Sequence, residues 1–219
     1  MTELAEIPRP PPLFFLSYAR SGRGAGSDPF NELDMQVVKF FQDLSMHVGG
    51  LTVRRPGSDP GFMDLSMDPG SEWRGELLEA VGTCKVFVAL LSPSYTASEW
   101  CAKEWDAFSR RKVTGGEPGG RYRTGIIPVV WSPYPINMFP QVIRRKQWFS
   151  PEGLPGMDLM AEYQEYGISG LMWLRREDAY RGVIVRLAQH IARFYHSYEV
   201  RPQVLREDEL ENIFRERES

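Results

Sequence analysis

Short, dense apolar runs alternate along this chain with longer stretches in which apolar residues recur every three or four positions. Leu13-Phe14-Phe15-Leu16, closed by Ser17-Tyr18, is the first run. Val86 to Leu91 and Ile126 to Trp131 are two more. Continuous runs of this length suit strands buried on both faces. Gly61-Phe62-Met63-Asp64 reads as a briefer strand. Between the runs, Leu33, Val37, Phe41, Leu44 and Val48 form a helical stripe ending at Gly49-Gly50. Trp73, Leu77, Leu78 and Val81 form a second stripe, and Trp100, Cys101, Glu104, Trp105 and Phe108 a third. The strand–helix alternation predicts a parallel sheet with helices on both faces.

Gln147-Trp148-Phe149 reads as a last edge strand. A helical segment follows with Tyr163, Tyr166, Leu171 and Trp173, then a strongly amphipathic helix using Tyr180, Val183, Ile184, Leu187, Ile191 and Phe194. The proline-rich stretch 1–12 is expected to be an extended, disordered lead-in. Residues 13–198 make the domain. Residues 199–219, rich in Glu and Arg, are expected to be a charged helical tail or a linker toward a further, sensor-type domain.

Composition narrows the setting. An apolar share of 42% with 25% charged residues is that of an ordinary soluble domain. The net charge of −3 offers no general attraction to nucleic acid or anionic membrane. Cys84 and Cys101 are too few for a disulfide scaffold and read as buried free thiols. No apolar run approaches the roughly 20 residues of a membrane span, and residues 1–12 lack the basic start and apolar stretch of a signal peptide. A cytoplasmic location is expected. His47, His190 and His196 lack metal-ligand spacing, so no metal site is expected. Neither a phosphate-binding Gly-x-x-x-x-Gly-Lys-Ser/Thr loop nor a Gly-x-Ser-x-Gly elbow occurs. The basic cluster Arg144-Arg145-Lys146 is short and balanced by acid elsewhere, which leaves nucleic-acid binding a minor option.

Five segments, in order, resemble the TIR (Toll/interleukin-1 receptor) domain. Phe14 to Tyr18 is similar to its first strand. Phe62-Met63-Asp64 with Pro69-Gly70 and Trp73 resembles its second strand and BB loop, Val86 to Tyr95 its third strand and exit, and Ile127-Pro128-Val129 its fourth strand. Ser98-Glu99-Trp100-Cys101-Ala102-Lys103-Glu104 is similar to its Ser-x-Trp-Cys-x-x-Glu helix. The boxes span residues 13–150. The Pro-Gly-Phe-Met-Asp segment and the Lys-Glu-Trp-x-Ala-Phe continuation resemble bacterial TIR-like proteins of the FxsC type. The stretch between the first helix and Met63-Asp64, and the chain after residue 150, depart from the minimal family pattern.

The resemblance implies a flavodoxin-like α/β fold: about five parallel strands, order 2-1-3-4-5, flanked by helices, with a C-terminal helical extension. In such a sheet the crevice opens beyond the carboxyl ends of strands one and three, where Ser17-Tyr18 and Ser92 fall. The resemblance makes Glu104 the catalytic residue of an NAD+ glycohydrolase or cyclase, with NAD+ as substrate and no cofactor. One carboxylate suffices in principle, because nicotinamide leaves as a neutral molecule and the ribose cation is what needs stabilising.

Ser17, Tyr18, Arg20, Asp64 and Ser92 are the candidate substrate-binding residues. Leu65, Asp68, Pro69 and Gly70 would form the loop of self-association between TIR domains. Each assignment has a plainer alternative: Tyr18 as a structural plug, Arg20 as a solvated cation, Asp64 as a cap for the next element. Trp100, Cys101, Trp105 and Phe108 read as core. A non-catalytic interaction module is the alternative function for the chain as a whole.

Overall fold

The structure, a computed structural model, describes residues 10–20, 32–53, 58–64, 71–116, 123–153 and 158–215. Strand β1 (Phe14–Ser17) lies at the middle of the sheet and is buried along its whole length. It pairs in parallel with β2 (Gly61–Met63) on one side and β3 (Val86–Leu91) on the other. β3 pairs in turn with β5 (Ile126–Val130). The sheet order is therefore β2-β1-β3-β5, the flavodoxin-like order expected through its fourth strand. The run β3 has no polar face because both its faces are covered.

One helical layer holds α1 (Glu32–Leu51), α6 (Leu159–Trp173) and α7 (Glu177–Ser197). The other holds α2 (Ser71–Thr83), the short α3 (Pro93–Ala97) and α4 (Glu99–Ser109). The first apolar stripe packs as predicted in the main, with Val37, Phe40, Leu44 and Val48 buried. Leu33 is exposed, and Phe40 rather than Phe41 is fully covered. Register explains the aromatic core. Phe15 stands opposite Phe62 on β2 and Phe87 on β3, and its ring stacks on both, at 5.6 and 5.7 Å. Phe87 then meets Trp105 and Phe108 of α4.

The expected edge strand at 147–149 does not form. Phe149 N–H donates to the Pro128 carbonyl at 2.8 Å, but Pro128 has no N–H to give and the next N–H on that side of β5, that of Val130, donates to the Tyr163 phenol oxygen at 2.7 Å, so no ladder propagates. Trp148 instead donates its indole N–H to the Ile143 carbonyl (3.1 Å), behind the single-turn helix α5 (Gln141–Arg144). Helix α6 is bent at Gly167, where φ is +61°. A side chain there would put a Cβ 2.6 Å from the Trp131 carbonyl oxygen, so the kink lets α6 dock on the exit of β5.

The charged C-terminal stretch differs most from its reading as a helical tail or free linker. The boundary at 198 falls inside an antiparallel pair between β4 (Val113–Gly115) and β6 (Tyr198–Val200). Residues 201–215 then run extended across α2 and α4, apart from one 3-10 turn at Glu207–Glu209. Gln203 N–H donates to the Gly82 carbonyl (3.0 Å) and Glu211 N–H to the Asp106 carboxylate (2.9 Å). Gly82 is required, since a Cβ would lie 2.4 Å from the Gln203 carbonyl oxygen. Buried Arg111 ties the stretch down from below, donating to the carbonyls of Val81, Cys84 and Arg201. The few apolar residues of the tail supply the anchors: Leu210 and Phe214 are buried. Backbone bonds to the domain replace those of the helix that its charge pattern suggested.

Phe15→Ala should be among the most damaging single changes, because its ring is sandwiched on both sides. A loss of roughly 3–5 kcal/mol in urea unfolding is expected.

Candidate active site

Helix α4 starts where it does because of Ser98. This residue has extended backbone angles, gives its N–H to the Tyr95 carbonyl, and accepts from Cys101 N–H at 3.2 Å through its hydroxyl. With the start fixed, Cys101, Glu104, Trp105 and Phe108 share the inward face. Three of the four are core residues. The fourth is a carboxyl group, 5% exposed, set at the carboxyl end of the sheet.

Ser17, the last residue of β1, donates its hydroxyl to Glu104 Oε2 in a short hydrogen bond. The same hydroxyl lies 3.0 Å from the Tyr95 phenol oxygen. Tyr95 is fully buried on α3, its ring facing Phe214 at 5.7 Å, and Phe214 in turn faces Trp105 at 6.0 Å. Carboxyl, hydroxyl and phenol thus form one buried chain anchored in three elements. Tyr95 was legible only as part of a strand exit. Its role depends on a contact across 78 positions, which no local pattern encodes.

Tyr18, Arg20 and Asp64 meet at the edge of the same site. Tyr18 donates its phenol to the Asp64 backbone carbonyl at 3.1 Å. Arg20 donates to that carbonyl at 3.3 Å and pairs with the Asp64 carboxylate at 3.0 Å. Arg20 is exposed, whereas Asp64 is largely covered. Asp34, buried on α1, adds its charge near Tyr18 and was missed because it sits in the first turn of an otherwise ordinary helix. Ser92 has a different placement. Its hydroxyl accepts from Tyr95 N–H at 3.1 Å and caps α3, with Pro93 in the first helical turn. The structure therefore sets Ser17 on Glu104, gathers Tyr18 and Arg20 on Asp64, whose charge acts on Glu104 together with that of Arg20, and gives Ser92 a capping task. Leu65, Asp68, Pro69 and Gly70 lie outside the described residues, as does the Gly-rich stretch after Arg20.

Burial dominates the electrostatics. It pushes the Glu104 carboxyl up to about 8, against a smaller opposing pull from the Ser17 hydroxyl; Asp64 adds to the rise, and the Trp100 indole and Arg20 pull it back. Burial, helped by Glu104, also raises Cys101 and Tyr95, so both are neutral. At neutral pH the carboxyl mostly keeps its proton. A cation brought beside it would drive that proton off and be held by the resulting carboxylate. That is the chemistry the arrangement performs well: stabilising positive charge formed in a water-poor site. Among the described residues no cluster of His, Cys, Asp and Glu could hold a metal ion, and no helix is long and apolar enough to cross a membrane.

A parallel α/β sheet with a buried carboxyl at the carboxyl ends of its first and third strands defines a crevice-type α/β domain. Comparison with known proteins refines this. The family model described as TIR domain matches residues 52–157. A protein described as a probable 2′ cyclic ADP-D-ribose synthase, BdTIR of Brachypodium distachyon, is 30% identical over 96 residues, 43% of this chain. The chain spans 38% of that relative's length. No solved structure matches the chain. A TIR domain is present in this protein.

Glu104 makes stability depend on pH in a defined direction. Between the ordinary carboxyl value of 4.5 and about 8, the folded protein holds a proton that the unfolded chain releases. Stability therefore falls as pH rises through that window, by at most about 1.4 kcal/mol per pH unit from this group. Glu104→Gln cannot ionise and should escape the loss. Denaturant titrations from pH 5 to pH 8 should show the variant gaining steadily on the wild type, and parallel curves would refute the buried carboxyl.

Proposed function

We propose that the protein is an NAD+ glycohydrolase or cyclase of the TIR type, producing ADP-ribose or a cyclic ADP-ribose. Its setting would be bacterial immunity or signalling in the cytoplasm, in line with the FxsC-type resemblance. The observation that carries the reading is the buried Glu104 carboxyl on the Ser17 hydroxyl at the mouth of the sheet. The name of the Brachypodium relative supports a cyclic product as one outcome.

In this reading the positive charge of bound NAD+ draws the proton off Glu104. The C1′–N bond to nicotinamide then breaks, its electron pair leaving with the neutral base. The cationic ribose is held by the Glu104 carboxylate, while Ser17 fixes the orientation of that group. Water, or a hydroxyl of the same molecule, adds to C1′, and its proton passes to the Glu104 carboxylate, which returns to its neutral form. Arg20, paired on one side with Asp64, retains donors for the pyrophosphate. The Tyr18 ring, its phenol tied down, offers a face for a base.

Self-association through the segment from Leu65 to Gly70 completes the reading. It is supported by the 5% exposure of Glu104, which leaves little carboxyl surface on the lone chain. That same exposure favours the second reading, a TIR module that only recruits other TIR domains or a sensor-type partner.

Nicotinamide release from NAD+ should be measured at high protein concentration, with and without a crowding agent. Release by the wild type and none by Glu104→Ala is expected. No release from either protein at any concentration would favour the interaction module. Because the carboxylate is the working form, kcat/KM should rise with pH, by up to tenfold per unit, and level off near the Glu104 value of about 8. A flat profile from pH 6 to pH 9 would separate Glu104 from the chemistry.

A further inference from the structure

The single-turn helix α5 and the end of the C-terminal stretch flank a half-open cavity of about 640 Å³, within the range of small-molecule sites. Arg144, Arg145 and Lys146 line one wall, and Ile213, Phe214 and Arg215 the other. Glu104, Ser17, Tyr18, Arg20 and Asp64 take no part in it.

Both walls are fixed. On the first, Ile143 is fully buried and Trp148 closes the turn on its carbonyl, its own ring packed edge-on against Phe139 at 4.9 Å. On the second, Phe214 is held by Tyr95 and Trp105, and the Glu211 backbone by Asp106. Four cations therefore converge on a preformed space in a protein whose net charge is −3.

Among the described residues, the acids from Glu207 to Glu209 pair with other cations. Glu207 pairs with Arg74 and Lys103, and Asp208 and Glu209 pair with Arg206. Arg215 reaches Glu99 only at 3.9 Å. Among the described residues, no carboxylate pairs with Arg144, Arg145 or Lys146. Lys146 is half-buried, and desolvation lowers its pKa with no anion to offset the effect. Solvent screens the exposed guanidinium groups, but four cations around one cleft, with Lys146 half-buried among them, still favour a bound anion.

We propose that this cavity binds the di- or triphosphate group of a small molecule, at a site separate from the Glu104 crevice. The guanidinium groups of Arg144 and Arg145 supply paired donors matched to phosphate oxygens, and Lys146 a point charge beneath them. The acid-rich stretch from Glu207 to Glu211, close in sequence to the second wall, disfavours a long polyanion, whose further phosphates would meet like charge. The inference does not rest on the reaction assigned to Glu104.

Isothermal titration of the full chain with tripolyphosphate and with ADP, at low ionic strength and without magnesium, tests it. Saturable one-to-one binding is expected, at least tenfold weaker in Arg144→Ala/Arg145→Ala and within twofold of wild type in Arg181→Ala, an exposed cation that does not line the cavity. Circular dichroism of the double variant should match the wild type, since both arginines are exposed. If that variant fails to fold, Arg215→Ala, expected to weaken binding at least threefold, decides in its place. Absence of saturable binding overturns the proposal. So does loss in Arg20→Ala with full binding in the double variant, which would place the ligand in the crevice. Tighter binding of a 20-nucleotide RNA or of phosphatidylserine vesicles than of either probe also overturns it.

Discussion

A carboxyl group buried where two parallel strands end is the constraint that organises this molecule. Taking Glu104 out of water is costly unless its carboxyl is hydrogen-bonded, and the Trp100 indole on its own helix is joined by a partner at the end of β1. Ser17 is that partner. Its position depends on the pairing of β1 with both neighbours, and the position of Glu104 depends on where Ser98 starts α4. An error of one residue at either place would turn the hydroxyl to the opposite face of the sheet or rotate the carboxyl off the inward face of the helix. Sheet register and helix cap thus converge on one hydrogen bond.

The surroundings hold that bond more firmly than it could hold itself. Tyr95 backs Ser17, Phe214 backs Tyr95, and the stacked row of Phe62, Phe15 and Phe87 fixes the strands beneath. Rigid aromatic packing of this kind keeps a destabilised group in place, and such groups recur at sites of chemistry. The open edge is built differently. Tyr18, Arg20 and Asp64 are joined by polar contacts on partly solvated surface, where ion pairs are weak and exchange readily. The interior of the site is preformed, while its rim can change partners.

Much of this was legible in the chain. The four strands announced themselves as apolar runs, and Glu104, by itself readable as a solvated helix residue, stood out through the Trp-Cys-x-x-Glu motif around it. Tyr18, Arg20 and Asp64 were reachable from their places at strand ends. What stayed hidden was non-local. Nothing near Tyr95 indicates that its phenol meets Ser17, and nothing near Asp34 indicates that its charge acts on Tyr18. Ser92 read as a substrate-binding residue, and its capping bond from Tyr95 N–H was not foreseen. The edge strand at 147–149 had a suitable sequence, but Pro128 on the neighbouring strand denies it a ladder. The C-terminal stretch misled for a related reason: charge density suggested solvent, while a few backbone bonds and two apolar anchors fasten it to the domain.

The path of that stretch gives the molecule a polarity. Leu13, just before β1, is bonded to Pro60 and Lys85 at the amino-terminal edge of the sheet. Phe214 lies at the other edge, one aromatic ring from the group that holds Ser17. Anything joined ahead of residue 10 is attached at the edge remote from Glu104. Anything joined beyond residue 215 pulls on Phe214, and through it on Tyr95. The two ends of the domain are therefore unequal handles: a tag or a tether at the first is a passive label, and at the second it is a lever.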